Sequence, residues 1–306
     1  MANKITTFLR SFLGTEGLLD KTNRNLFELR RYQLIEHIMN DEEKGITTQK
    51  YCDHDIIVSL TTYGKRIYDV AFTIESIMEQ TMKANKILLW LDYSFQNKAL
   101  PNSLIKLTKR GLEICFCEDL LSYKKVIPTL KKYPNDVIIT IDDDILYDFD
   151  VLERLIVPYV DMPNHIHCLR HHRMKFDKSG NLLPYVKWIF EDKTNDYSPL
   201  NFFIGVGGVL YPPNCLHPDV FDKKTFMEIC KYGDDIWFNT MALRYGTRVS
   251  QGYTRNKNSI EGVVNESVQD VALANKNVTL GQNDIQIRAV FEKYGIYSLL
   301  KQNVQS

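Results

Sequence analysis

Between residues 55 and 150 the sequence alternates β-branched apolar runs with amphipathic stretches, and that rhythm admits few folds. IIVSLTT is a buried-strand run, VAFTIESIMEQT carries helical spacing, and KILLWLD is a second apolar run closed by an aspartate, so the three form a βαβ unit. SLIKLTKRG then reads as a helix ended by Gly111, LEICFC as a strand, YKKVIPTLKKY as a short helix, and DVIITIDDD as a strand that finishes in three carboxylates. Strands that alternate with helices imply a mostly parallel sheet flanked by helices, a mixed α/β fold. Ligands of such sheets bind beyond the carboxyl ends of the strands, which places Thr61, Asp92 and Asp142 at one common edge.

The pattern loosens after residue 150. VLERLIVPYV reads as a helix, HIHCLRHHR as an edge strand, and FFIGVGGVLYPP as an apolar, glycine-rich stretch. GDDIWFNTMALRYG is a helix opened by a carboxylate pair, and NDIQIRAVFEKYG a helix near the C-terminus. Ahead of the alternation, Leu26, Leu29, Tyr32, Leu34, Ile35 and Ile38 recur at helical spacing before the polar NDEEKG. We therefore divide the chain into a helical N-terminal extension, residues 1–50, and a catalytic domain, residues 51–306; the extension's apolar positions also suit packing against that domain.

Composition removes several function classes. Lysine plus arginine and aspartate plus glutamate stand at 38 each, so no global field gathers nucleic acid, and an anionic ligand must be held locally. The six cysteines are scattered with no CxxC pair, which argues against a zinc site or a disulfide framework built on them. No run approaches the roughly 18 apolar residues of a membrane span, and the apolar part of MANKITTFLRSFLG is short for a secretory signal. A cytoplasmic setting is expected, with the first helix in peripheral contact with a membrane surface.

Asp142, Asp143 and Asp144 carry the strongest chemical signal. Adjacent carboxylates at a strand end repel one another unless a cation intervenes, and alternation along a strand lets Asp142 and Asp144 point together while Asp143 points elsewhere. Two hard oxygens suit Mn2+ or Mg2+, ions that keep positions open for phosphates; a solvated acidic turn is the plain alternative. Asp234 and Asp235 open a helix, where the dipole favours acids; one of them serves as an N-cap, or one is a general base. Gly205, Gly207 and Gly208 permit close backbone approach to a ligand or bend a strand, and they do not form a GxGxxG fingerprint. Lys124 and Lys125 precede the acidic strand and either face a donor or lie in solvent. His165, His167, His171 and His172 have no carboxylate or thiolate partners at ligand spacing and suit a structural or acceptor-binding role better than zinc.

The ordered set IIVSLTTYGKR, SYKKVIPTLKKYPNDVIITIDDDILY, GVGGVLYPP and GDDIWF resembles bacterial glycosyltransferases of the GT-A fold, the family 2-like enzymes encoded with capsule and surface-polysaccharide genes. The resemblance covers residues 55 to about 295 and implies a metal-dependent, inverting transfer from a nucleotide-diphosphate sugar, a UDP-sugar first among donors, to a saccharide or lipid-linked saccharide. It implies that Asp142 and Asp144 are the DxD metal ligands, with Asp143 beside the donor, and that Asp235 is the base with Asp234 its neighbour. Thr61, Thr62, Tyr63, Arg66, Asp92, Lys124, Gly207 and Gly208 are then expected around the donor. Many such enzymes add a late histidine to the metal; here the last histidine is His217, so either it serves or water and phosphate complete the shell.

Three rivals fit parts of the pattern. A sugar nucleotidyltransferase would need a glycine-rich basic loop after the first strand, where LTTYGKR has one glycine. An aspartate-nucleophile phosphatase would place Thr or Val where Leu146 stands. A non-catalytic sugar-binding module leaves the acidic triplet without a purpose.

Overall fold

The computed structural model describes residues 2–194, 196–252, 261–265 and 281–305. Helix α1, Ala2–Asn40, precedes strand β1, Ile56–Thr61; then come α2, Val70–Met78, β2, Lys86–Asp92, α3, Asn102–Lys109, and β3, Leu112–Cys117. A 3-10 turn at Leu121–Lys125 leads into α4, Ile127–Lys132, followed by β4, Val137–Thr140, β5, Ile145–Tyr147, and α5, Val151–Asp161. The second half carries β6, Ile166–Cys168, β7, His171–Arg173, β8, Asn201–Phe203, β9, Val209–Tyr211, α6, Lys223–Ile229, and α7, Asp234–Tyr245. It ends with β10, Val249–Gln251, β11, Gly262–Val264, α8, Gln282–Tyr294, and α9, Ile296–Gln305.

The expected mixed α/β architecture is observed. Seven strands form one sheet in the order β10-β6-β9-β4-β1-β2-β3. Every neighbouring pair is parallel except the two made by β9, which runs against β4 and β6. Two small antiparallel pairs, β5 with β11 and β7 with β8, stand beside it.

Period-two alternation divides the strand residues between the faces of the sheet. Ile56, Val58 and Leu60 join a core with α1, α2, α3 and α5 through Ile74, Ile77, Leu104, Leu107 and Leu155. Ile138, Val209 and Tyr211 point the other way, into a core with Ile127, Phe226, Trp237, Phe238 and Phe291. Phe27, Leu34 and Ile38 of α1 belong to the first core, so the described end of the N-terminal helix packs on the sheet domain.

Two expectations are corrected. The histidine-rich stretch is not one edge strand: β6 lies between β10 and β9, and β7 leaves the main sheet to pair with β8. His167 is tolerated inside because its Nε2–H donates to the Met162 carbonyl at 2.9 Å, and burial pushes its pKa down to about 4. The acidic triplet also lies one turn beyond its strand, since β4 stops at Thr140 and the carboxylates occupy the link to β5.

Candidate active site at the carboxyl edge of the sheet

Parallel pairing sets the ends of β1, β2, β3 and β4 along one edge, so the segments after Thr61, Asp92, Cys117 and Thr140 all emerge there. Within the triplet the three acids have separate surroundings. Asp143 is buried; Thr62 Oγ1 donates to its Oδ2 at 2.6 Å and Arg66 to its Oδ1 at 2.7 Å. Thr73 of α2 donates to its carbonyl at 3.1 Å. Burial still pushes the Asp143 pKa up, against the pull of Arg66 and Thr62. Asp142 and Asp144 stay partly exposed, so the alternation expected of a strand persists in the turn. Arg66 also reaches Asp144 at 3.1 Å, and its guanidinium lies 5.2 Å from the centre of the half-exposed Tyr63 ring. The backbone is pinned as well: the Asp142 N–H donates to the buried Tyr147 hydroxyl, and the Asn265 N–H to the Asp144 carbonyl.

Lys125 joins this edge to the second acidic pair. Its Nζ lies 3.1 Å from Asp142 Oδ1 and 3.9 Å from Asp234 Oδ2. The turn that carries it is tied to the sheet through its carbonyl, which accepts from Ser59 Oγ at 2.6 Å. Ser59 also bonds Thr129, which in turn accepts from Trp90 Nε1 at 2.7 Å. Lys125 is buried, and the surrounding carboxylates hold its pKa above the ordinary lysine range despite desolvation. The solvated alternative for these lysines is therefore excluded; Lys124 is buried too, but its ammonium serves Asp119 at 2.9 Å and Asp92 at 3.7 Å.

Neither acid at the start of α7 caps the helix, whose N-cap is Gly233. Asp235 Oδ2 instead accepts from the Gly205 N–H at 3.1 Å. Gly205 is needed there, because a Cβ would stand 2.9 Å from Asp235 Oδ1 and 3.0 Å from Lys125 Nζ. Burial, followed by the charge of Asp234, pushes the Asp235 pKa up to about 7. Asp234 is buried, and its Oδ2 has no hydrogen-bond partner.

Other expected site residues find partners inside the protein. Thr61 Oγ1 donates to the Trp90 carbonyl at 2.8 Å, and Asp92 caps the turn Tyr93–Phe95 by accepting from the Ser94 N–H. Gly207 and Gly208 have φ of 91° and 132°, and a Cβ would press on Glu261 and Leu155, so the close approach they permit is to the protein itself. His217 is not brought to the acids. It starts a turn before Pro218, its Nδ1 accepts from the Asp219 N–H at 3.2 Å, and its own N–H donates to Met241. Met241 lies about 9 Å along α7 from Asp235 at the helical rise, so a third metal ligand from His217 is not supported. Sequence reasoning missed Ser59, Thr129, Trp90 and Tyr147, which carry no motif and act through tertiary hydrogen bonds.

Among the described residues, Arg66 lies against Asp143 and Asp144, and Lys125 against Asp142 and Asp234. Carboxylate oxygens such as those of the partly exposed Asp142 and Asp144 are of the kind Mn2+ and Mg2+ take, but among the described residues the acids at this edge do not bring three ligand atoms within 4.8 Å of one another. Among the described residues no helix is long and apolar enough to cross a membrane. No family model matches the chain, and no curated protein matches it in sequence. Among solved structures it overlays on 4-diphosphocytidyl-2C-methyl-D-erythritol synthase at 9% identity, covering 72% of this chain and 98% of that one, with a TM-score of 0.40. A likeness of that degree carries no argument about activity.

Proposed function

We propose that this chain is a glycosyltransferase that moves a sugar from a nucleotide-diphosphate donor, a UDP-sugar first, to a hydroxyl of a saccharide or lipid-linked saccharide in surface-polysaccharide synthesis. The observation that supports it is the seat of Lys125 between Asp142 of the triplet and Asp234 of the α7 pair, with Asp235 beside it at Gly205. A donor-binding acid cluster and a candidate base thereby share one edge, in agreement with the motif order that resembles GT-A enzymes.

Asp142 and Asp144 would hold Mn2+ or Mg2+, which when bound neutralises charge on the departing diphosphate. Thr62 and Arg66 fix Asp143 and so hold the two flanking acids in register. Asp235 takes the proton of the acceptor hydroxyl; that oxygen bonds to the anomeric carbon as the bond to the diphosphate breaks, and the nucleoside diphosphate leaves with the electron pair. One displacement inverts the centre. A carboxyl with its pKa near 7 is well matched to accepting a proton at neutral pH, and the Gly205 N–H keeps its second oxygen in place. Thermal-shift screening of nucleotide sugars with Mn2+ tests the donor: a rise in Tm with a nucleotide sugar and none with the nucleoside supports the reading, and no response to any of them removes it.

A further inference from the structure

Away from that edge, α1 meets α2 through a second polar cluster that the proposed transfer does not use. Glu75 and Glu79, four residues apart, share one face of α2 and its cap. Each has one oxygen held by an arginine: Arg110 donates to Glu75 Oε2 at 2.6 Å, and Arg30 of α1 to Glu79 Oε2. The other oxygen of Glu79 lies against Nδ1 of His37. Glu75 is fully buried, and its Oε1 has no hydrogen-bond partner. One ligand atom from each of His37, Glu75 and Glu79 lies within 4.8 Å of the others, the only such group of three among the described residues.

A buried carboxylate oxygen without a partner is costly and calls for an occupant. The geometry points to a Zn2+ ion bound by His37, Glu75 and Glu79, pinning the N-terminal helix to α2. Arginines that hold the non-ligating oxygens orient the carboxylates, as outer partners of metal ligands do. An imidazole ligand suits zinc, whereas hard ions such as Mg2+ and Ca2+ take oxygen ligands. His37 is half-exposed, so water can reach a remaining coordination position.

The inference is independent of the proposed transfer and is tested on the full chain, stripped with chelator and dialysed against ZnCl2 with Mg2+ in excess to occupy the Asp142–Asp144 edge. Wild type is expected to retain about one equivalent of zinc and to gain several degrees in Tm. His37→Gln is expected to lose both while its metal-free Tm matches that of metal-free wild type. Co2+ substitution adds a readout that helix packing alone does not move: visible absorption of a histidine-ligated ion in wild type, absent in His37→Gln. Should that variant fail to fold, Glu79→Gln is read in the same way. No zinc retained by wild type, or an equal amount retained by the variants, overturns the site.

Discussion

At the residue scale, the proposed transfer turns on Asp235 and Lys125. Asp235→Asn keeps volume and can still accept from the Gly205 N–H, so transfer should fall roughly 10²–10⁴-fold with donor affinity unchanged; a parallel loss of donor affinity, measured by titration, would move Asp235 into the donor site. Because the carboxylate is the active form, wild-type kcat/KM should rise as pH climbs through about 7. The same shift affects folding. The Asp235 pKa is raised from 3.8 to about 7, so its protonated form contributes stability that is fully present below 3.8 and lost as pH rises to about 7. Asp235→Asn should therefore gain stability relative to wild type across that window, and a flat difference in denaturation midpoints would contradict the shift. Lys125→Met removes the cation from between buried acids and should cost about 3–5 kcal/mol near pH 8. The deficit should shrink toward pH 5, as Asp235 takes up a proton. The acids were legible in the sequence because adjacent carboxylates at element ends are chemically unusual. Lys125 was legible only as one of two alternatives, facing a ligand or lying in solvent, since a lysine beside a short helix is solvated or buried according to what packs on it.

At the element scale, the 3.6-residue period identified a helix and its core positions Leu34 and Ile38, but it missed Phe27 and included Leu26, Leu29 and Tyr32, which stay outside. Leu34 is fully buried, whereas Leu29 is 63% exposed. Leu34→Ala should cost about 2–5 kcal/mol, and Leu29→Ala should stay within about 0.5 kcal/mol by urea denaturation. Equal effects would mean that the helix does not dock as described. The histidine stretch misled because three-residue strands carry too little periodicity to separate an interior strand from an edge, and a buried hydrogen bond such as that of His167 leaves no trace in sequence. The glycines of the β8–β9 link were legible as backbone devices; that their neighbours are Asp235, Glu261 and Leu155 depends on contacts distant in sequence.

At the scale of the whole molecule, the strand–helix alternation gave the parallel half of the sheet and its carboxyl edge, whereas the insertion of β9 antiparallel between β4 and β6 follows from the later, irregular half. That insertion matters, because the chain between β8 and β9 carries Gly205 to the edge where Asp235 and Lys125 meet. The most direct measurement of the central claim is product analysis after the protein is incubated with Mn2+ and a panel of nucleotide sugars, with and without saccharide acceptors. Release of a nucleoside diphosphate from at least one donor is expected, abolished by chelator and by Asp235→Asn. Formation of a nucleotide sugar and pyrophosphate from a nucleoside triphosphate and a sugar phosphate, with no diphosphate released from any donor, would contradict it.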